Sequence, residues 1–408
     1  MTRYGRSPWV DEFPKSRVPA HPRQRGALAT DVVIIGGGLV GCATAYALAA
    51  VGVNVTLVEA ALIGRGASGS AGGWISEDPG VAFVDLEKTH GLGGARHVFH
   101  AWRRAALDFV ALLRRLDVKC HLEARGALTL AATIEQAARM RRDQKSRRGA
   151  GLDAAMLTAR IIKGETALDA ALGLRARDGA TIDPYRACLG LASAAARRGA
   201  VVFERSPVRA VTFNRKTAEV ITAGGRIRTN RVVVATGAPT ALFKGLVRHF
   251  WFRSRYFALT KPVPAKIRQQ LGRRVAVVRD SADPPHLVRW VGDDRVLVCG
   301  ADGAAEPARL REAVAIQRTG QLMYELSTLY PDLSGIQPDY GWAADYARSG
   351  DGLPYIGPHR NYPHHLFVLG DASHGVTGAY LASRMLLRHY LDEPDPHDAL
   401  FSFSRHGR

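Results

Sequence analysis

The chain alternates between two styles of hydrophobic pattern. At 32–35 four β-branched residues, Val32, Val33, Ile34 and Ile35, run without interruption, as suits a strand buried on both faces of a parallel sheet. The run stops at Gly36-Gly37-Gly38, and small apolar residues from Leu39 to about 51 predict a helix. A second apolar stretch, 53–58, ends on Glu59. Residues 63–74 are nearly all small and predict a long loop whose backbone can approach a ligand closely. Helical periodicity returns at 95–116, a strand follows at 126–131, and Thr181-Ile182-Asp183-Pro184-Tyr185 starts a helix that runs to 198. Strands are expected at 199–204, at 218–222 and 226–228 as a hairpin around Gly224-Gly225, and at 231–238, which closes on another small-residue turn.

From 247 to 338 the style changes. Strands of mixed character at 256–260, 275–278, 286–291 and 295–299, then a helix from about 306 to 329, read as an antiparallel sheet with helices. The first style resumes with a strand at 366–371, a turn at 372–375 and a helix at 376–391. The expectation is an α/β chain in two parts. A discontinuous Rossmann-type domain takes 31–90, 150–245 and 339–408, and an antiparallel-sheet α+β substrate domain takes 91–149 and 246–338. Residues 1–30, rich in Pro, Arg and polar side chains, read as a surface arm.

Gly36, Gly38 and Gly41 fall on the G-x-G-x-x-G spacing, each with its own task. Gly36 makes the tight turn, Gly38 lets backbone approach a pyrophosphate, and Gly41 lets the helix pack closely on the strand. The helix start offers unpaired N–H groups and a positive dipole end to phosphates. Glu59 is placed to accept the hydroxyls of an adenosine ribose. Strand, triplet, helix, second strand and terminal acid agree on a dinucleotide site.

Composition narrows the field. In 408 residues, 47% apolar and 23% charged content is ordinary for a globular chain, which excludes fibrous and disordered classes. The stretch 32–58 is uncharged, but its glycine cluster argues against a membrane helix. The N-terminus lacks an apolar signal core, so a cytoplasmic location is the default expectation. The four cysteines are scattered without a C-x-x-C pair, and His97-x-x-His100 and His364-His365 read as ordinary helix and loop residues, so no metal is expected. The formal charge of +19, mostly from Arg, would favour anionic substrates, an anionic membrane surface or nucleic acid. Its densest patch, 139–148, reads as a solvated helix face and has no interleaved aromatics for single-strand binding.

Four blocks together resemble the flavin-dependent amine and amino-acid oxidases, a superfamily that includes D-amino-acid oxidase, glycine oxidase, sarcosine oxidase and γ-glutamylputrescine oxidase-like proteins. They are the glycine triplet with Glu59, the Gly66-Ala67-Ser68-Gly69 loop, the Ala235-Thr236-Gly237 turn, and the tail 351–358 with Ser373-His374-Gly375-Val376. The segment Leu400-Phe401-Ser402-Phe403-Ser404-Arg405 is similar to the γ-glutamylputrescine oxidase-like branch. The resemblance implies a glutathione-reductase-like FAD-binding domain and non-covalent FAD. It implies cofactor contacts at Gly36, Gly38, Leu39, Val40, Gly41 and Glu59, and at Ala67, Ser68, Gly72 and Gly73. Further contacts fall on Val208, Ala235, Thr236 and Gly237, and on Gly352, Gly370, Asp371, His374, Gly375 and Val376.

The implied reaction is hydride transfer from a carbon bearing an amine to flavin, with oxygen or another electron acceptor completing the cycle. A substrate carboxylate would call for a fixed Arg; Arg289 stands where related proteins carry one, with Arg253 and Arg255 as rivals and a surface role as the alternative for each. Tyr256 and Trp290 are pocket or core aromatics, and His374 either steadies the reduced ring or caps a helix. Two other classes stay open: a flavin-dependent RNA-modifying enzyme, since the resemblance extends to a domain of a tRNA-modifying enzyme and the net charge permits it, and a flavin-binding protein with little activity, for which two departures from the family pattern, Ser70-Ala71 and Asp371, speak.

Overall fold

A computed structural model describes the chain except residues 153, 283, 293, 371–374 and 406–408. The strands Val201–Phe203, Val55–Val58, Gly26–Ile35, Gly225–Gly237 and Tyr362–Leu369 lie side by side and all parallel, with Val33 opposite both Thr56 and Val232. Their continuous apolar runs are explained by cover on both faces: Val32, Val33, Ile34, Val232 and Val234 are almost wholly buried. Helix Leu39–Ala49 is built from small residues and packs between the helices Pro184–Arg197 and Val376–Tyr390. Asp183 caps the first of these, its carboxylate accepting the Arg186 N–H at 3.0 Å, with Pro184 at the first helical position.

The expected hairpin is present, but its second arm does not stop. Gly225–Gly237 is one strand whose first half pairs antiparallel with Ala218–Thr222 and whose second half pairs parallel with Tyr362–Leu369. Thr229 carries the strand across the polar interval, its hydroxyl donating to Asp31 O at 2.9 Å. The strand Val208–Phe213 completes this antiparallel branch.

The second sheet has nine strands, in the order Arg3–Tyr4, Pro338–Arg348, Trp251–Thr260, Arg295–Ala304, Leu287–Val291, Val277–Asp280, Ala127–Ala131, Leu172–Ala176 and Ala155–Leu157. Its helix Arg311–Leu329 covers one face. The division differs from the sequence expectation at three places. The strands Ala155–Leu157, Leu172–Ala176 and Pro338–Arg348 are hydrogen-bonded into this sheet rather than the parallel one, and Arg3–Tyr4 of the arm forms its edge. The helix expected at 95–116 belongs to a helical stretch Phe83–Arg115 that is broken at Gly91, φ 71°.

Candidate active site

Three turns of the parallel sheet and one face of the nine-stranded sheet converge on a cleft. The space between its walls, with the open solvent at its mouth included, is about 1290 Å³. Leu39 and Val40 form one end. Gly36 has φ +112°, and a Cβ there would stand 2.6 Å from Ala235 O; a Cβ on Gly41 would fall 1.8 Å from Gly36 O. The turn therefore admits no side chain at either position. Gly38, the N-cap, brings no side chain over the first N–H groups of the helix. Ser68 Oγ reaches across from the second loop and accepts the Leu39 N–H at 2.9 Å.

Glu59 is fixed by backbone, accepting Gly37 N–H at 2.7 Å and Ala61 N–H at 2.8 Å, one on each oxygen. The lone pairs left over suit ribose hydroxyls. Arg205 and Ser206 donate to the Ala61 and Glu59 carbonyls at 2.8 and 2.9 Å, which draws the start of Val208–Phe213 to this end. The bare cradle, the carboxylate beside it and the length of the cleft fit an extended dinucleotide.

Ala67, Ser68, Ala71, Gly72 and Gly73 line the next part. This loop is held from behind by three long side chains. Trp9 Nε1 donates to Ala71 O at 3.0 Å, Trp342 Nε1 to Ser70 O at 2.9 Å, and Arg289 Nε to Gly72 O at 2.7 Å. Arg289 also donates to Ile182 O at 3.3 Å and Trp290 O at 3.4 Å, and its guanidinium lies 5.2 Å from the Trp9 ring centroid. Burial, then the charge of Arg125, pushes Arg289 down to about 10, which still leaves it protonated at neutral pH. Gly73 must be glycine here, since a Cβ would meet Ile182 O at 2.2 Å. The opposite rim is Thr236, Gly237 and Gly370, and Gly375 and Val376 present the uncapped start of the last long helix to the cleft.

The nine-stranded sheet supplies the remaining wall. On Trp251–Thr260 the odd residues Arg255 and Phe257 face the cleft, while Tyr256 is buried on the other face with Leu322 and Leu326 of the covering helix. Phe257 stacks on Trp342, centroids 5.1 Å apart. Arg255 grips the buried Asp302 with Nε at 2.9 Å from Oδ1 and Nη2 at 2.8 Å from Oδ2, and the Tyr346 hydroxyl donates to the same Oδ2 at 2.7 Å. Burial disfavours the Arg255 charge, but the Asp302 hydrogen bond outweighs it and holds the guanidinium firmly protonated. Asp345 lies beside them, paired with Arg311 at 3.2 Å. Leu287, Ala344, Ala347 and Cys299 complete the wall; burial pushes the Cys299 thiol up to about 11, so it stays protonated.

Two side chains expected at the catalytic centre stand away from the cleft lining. Arg289 lies behind the second loop, spent on backbone carbonyls, and Tyr256 is on the wrong face of its strand; neither lines the cleft. Gly36, Gly41, Glu59 and Ala235 stand behind the lining, and Gly352 lies next to Val81, short of the cleft-lining Pro354. Asp371 and His374 lie outside the described residues. Sequence reading missed Trp9, Trp342, Asp302 and Tyr346. Nothing local marks Trp9, whose hydrogen-bond acceptor lies 62 residues further along the chain.

Residues 31–388 match the family described as FAD dependent oxidoreductase. Gamma-glutamylputrescine oxidoreductase of Escherichia coli K12 is 26% identical over 88% of this chain and 83% of its own length. Glycine oxidase of Bacillus licheniformis is 26% identical over 89% of this chain and 94% of its own. Among solved structures, glycine oxidase from Geobacillus kaustophilus superposes with a TM-score of 0.78 at 20% identity, covering 93% of this chain and 99% of that one.

Proposed function

The chain belongs to the FAD dependent oxidoreductase family and is an FAD-dependent oxidoreductase of an amine or amino acid, and from that premise we propose that it prefers alkylamines with no carboxylate beside the reacting carbon. The RNA-modifying and inactive readings are not favoured by the family or the relatives. The observation that carries the preference is the Arg255–Asp302 pair. Among the described residues Arg255 is the one arginine in the cleft lining, and it is gripped by an internal carboxylate that Tyr346 also holds. An incoming substrate carboxylate would have to compete with Asp302 and would face Asp345 as well. An aminoalkyl chain meets the opposite situation, with carboxylates to attract its cationic end and Phe257 and Leu287 to pack its methylenes. The naming of the Escherichia coli relative for γ-glutamylputrescine supports the same class.

When bound, FAD supplies the electron sink, taking a hydride from the carbon that bears nitrogen and leaving an imine that water hydrolyses. The chain's own residues supply alignment. Phe257, stacked on Trp342, and the apolar side chains around it keep water from the reacting carbon. The helix start at Gly375 and Val376 offers partial positive charge to whatever negative charge develops against it. An amine that arrives as its cation gives its proton to solvent before transfer, and no base is required of the protein once the neutral amine is aligned. The electron acceptor is oxygen or a second redox partner, and peroxide release distinguishes them.

Asp302→Asn tests the preference. The variant removes the Asp302 charge beside Arg255, so the ratio of kcat/KM for glycine or sarcosine to that for an alkylamine should rise at least about tenfold, or about 1.4 kcal/mol. A wild-type protein that prefers free amino acids, with a ratio that Asp302→Asn leaves unchanged, contradicts the proposal.

A further inference from the structure

The helix Phe83–Arg115 and the C-terminal segment meet at a cluster that contributes nothing to the cleft lining. There His97 of the helix and His397 of the turn Pro396–Phe401 lie face to face, ring centroids 3.9 Å apart and planes 3° from parallel. Asp395 caps that turn, accepting the His397 backbone N–H at 2.8 Å, and its Oδ1 lies 3.0 Å from His397 Nδ1. One ligand atom from each of the three residues lies within 4.8 Å of the other two. His97 is half-buried, whereas Asp395 and His397 face solvent.

Two imidazoles and a carboxylate are a donor set for a borderline divalent ion. The neighbouring charges do not consume it: Asp398 is engaged by Arg388, and Arg103 by Asp178. His100, one turn along the same helix, is exposed.

We propose that His97, Asp395 and His397 form a surface site for a divalent transition-metal ion of the zinc class, with water in the remaining positions. The ion would staple the C-terminal segment to the long helix. That segment continues to Arg405, which donates to Asp351 and to the carbonyl of the cleft-lining Pro354, so the staple closes a path from surface to cleft rim. The spacing that drew notice in the sequence, His97-x-x-His100, supplies one of the three ligands, because the other two come from the far end of the chain.

The test is Zn²⁺ titration of the untagged, FAD-loaded, metal-stripped protein by calorimetry, with Co²⁺ absorption as a second reading. The expected result is one equivalent bound, visible Co²⁺ bands that Zn²⁺ displaces, and an affinity weakened at least about tenfold in His97→Ala and in His397→Gln, about 1.4 kcal/mol each. His397 is exposed, so its variant keeps the fold, and His21→Ala should leave binding unchanged. Absence of uptake, or uptake that both site variants retain, overturns the site.

Discussion

At the scale of single residues, the cleft separates groups that hold the cofactor cradle from groups that meet the substrate. Gly41 belongs to the first kind. A Cβ there would press on the Gly36 carbonyl, and Gly36 is itself confined by Ala235, so the strain has nowhere to go. Gly41→Ala should lose most bound flavin and destabilise the protein by about 1–3 kcal/mol; the ratio of flavin to protein absorbance checks it, and full flavin content would contradict it. Arg289 and Arg255 make a sharper contrast. Arg289→Met frees the Gly72 carbonyl and loosens the second loop, so FAD affinity should fall while the order of preference among amines stays the same. Arg255→Met leaves Asp302 as an unpaired buried carboxylate and should reverse that pattern, altering substrate preference with FAD affinity near wild type. Flavin titration of the two apoproteins, alongside kcat/KM for an amine panel, tells them apart.

At the scale of elements, two contacts set how the fold answers acid. Asp351, at the turn before Tyr355–His359, receives Arg405 through both oxygens and lies 3.0 Å from His90 Nε2. Burial opposes its charge, but His90 and Arg405 outweigh that and hold the carboxyl well below the usual range. A depressed carboxyl stabilises the fold above its unfolded value of 3.8 and loses that contribution as pH falls further. His365, on the strand Tyr362–Leu369, works in another window. Among the described residues neither ring nitrogen has a partner, and burial, then His364, lowers it from 6.5 to about 4. The unfolded chain takes up this proton first, so stability drains between pH 6.5 and about 4. Denaturant midpoints against pH should therefore lose the upper slope in His365→Leu and the lower one in Asp351→Asn. A single slope unaffected by either variant contradicts the assignment.

These elements also show what the sequence could reveal. The parallel strands, Leu39–Ala49 and the hairpin at Gly224-Gly225 were legible because apolar runs and glycine turns are local signals. The faces of Trp251–Thr260 were harder to read, since Ser254 and Tyr256 look no more buried than Arg255 and Phe257 until helix Arg311–Leu329 covers one side. The Arg255–Asp302 pair depends on register between distant strands, and the Trp9 hydrogen bond on the docking of the helix Pro8–Asp11 against the second loop, neither of which a local pattern encodes.

At the scale of the whole molecule, the cleft exists only where the two sheets meet, and the chain crosses between them repeatedly. Its floor comes from the parallel strands and its wall from the nine-stranded sheet, which is mixed, since Val277–Asp280 pairs parallel with Ala127–Ala131 and Arg3–Tyr4 parallel with Pro338–Arg348. Among the described residues no helix is long and apolar enough to cross a membrane. A ligand that touches both sheets should stabilise the entire fold: FAD at 1,000 times its Kd should add about 4.1 kcal/mol to the unfolding free energy of the apoprotein. Thermal unfolding with and without FAD checks this, and equal stability would mean that FAD does not bind the folded chain. The central claim is that this cleft joins FAD to an alkylamine. Its most direct test is the visible absorbance of the purified protein, kept anaerobic, as alkylamines, N-methyl amino acids and free amino acids are added one at a time. The account predicts a yellow protein whose oxidised flavin bands vanish with one equivalent of an alkylamine and persist with glycine. A yellow protein that free amino acids bleach and alkylamines do not, or a colourless one that cannot be reconstituted with FAD, would contradict it.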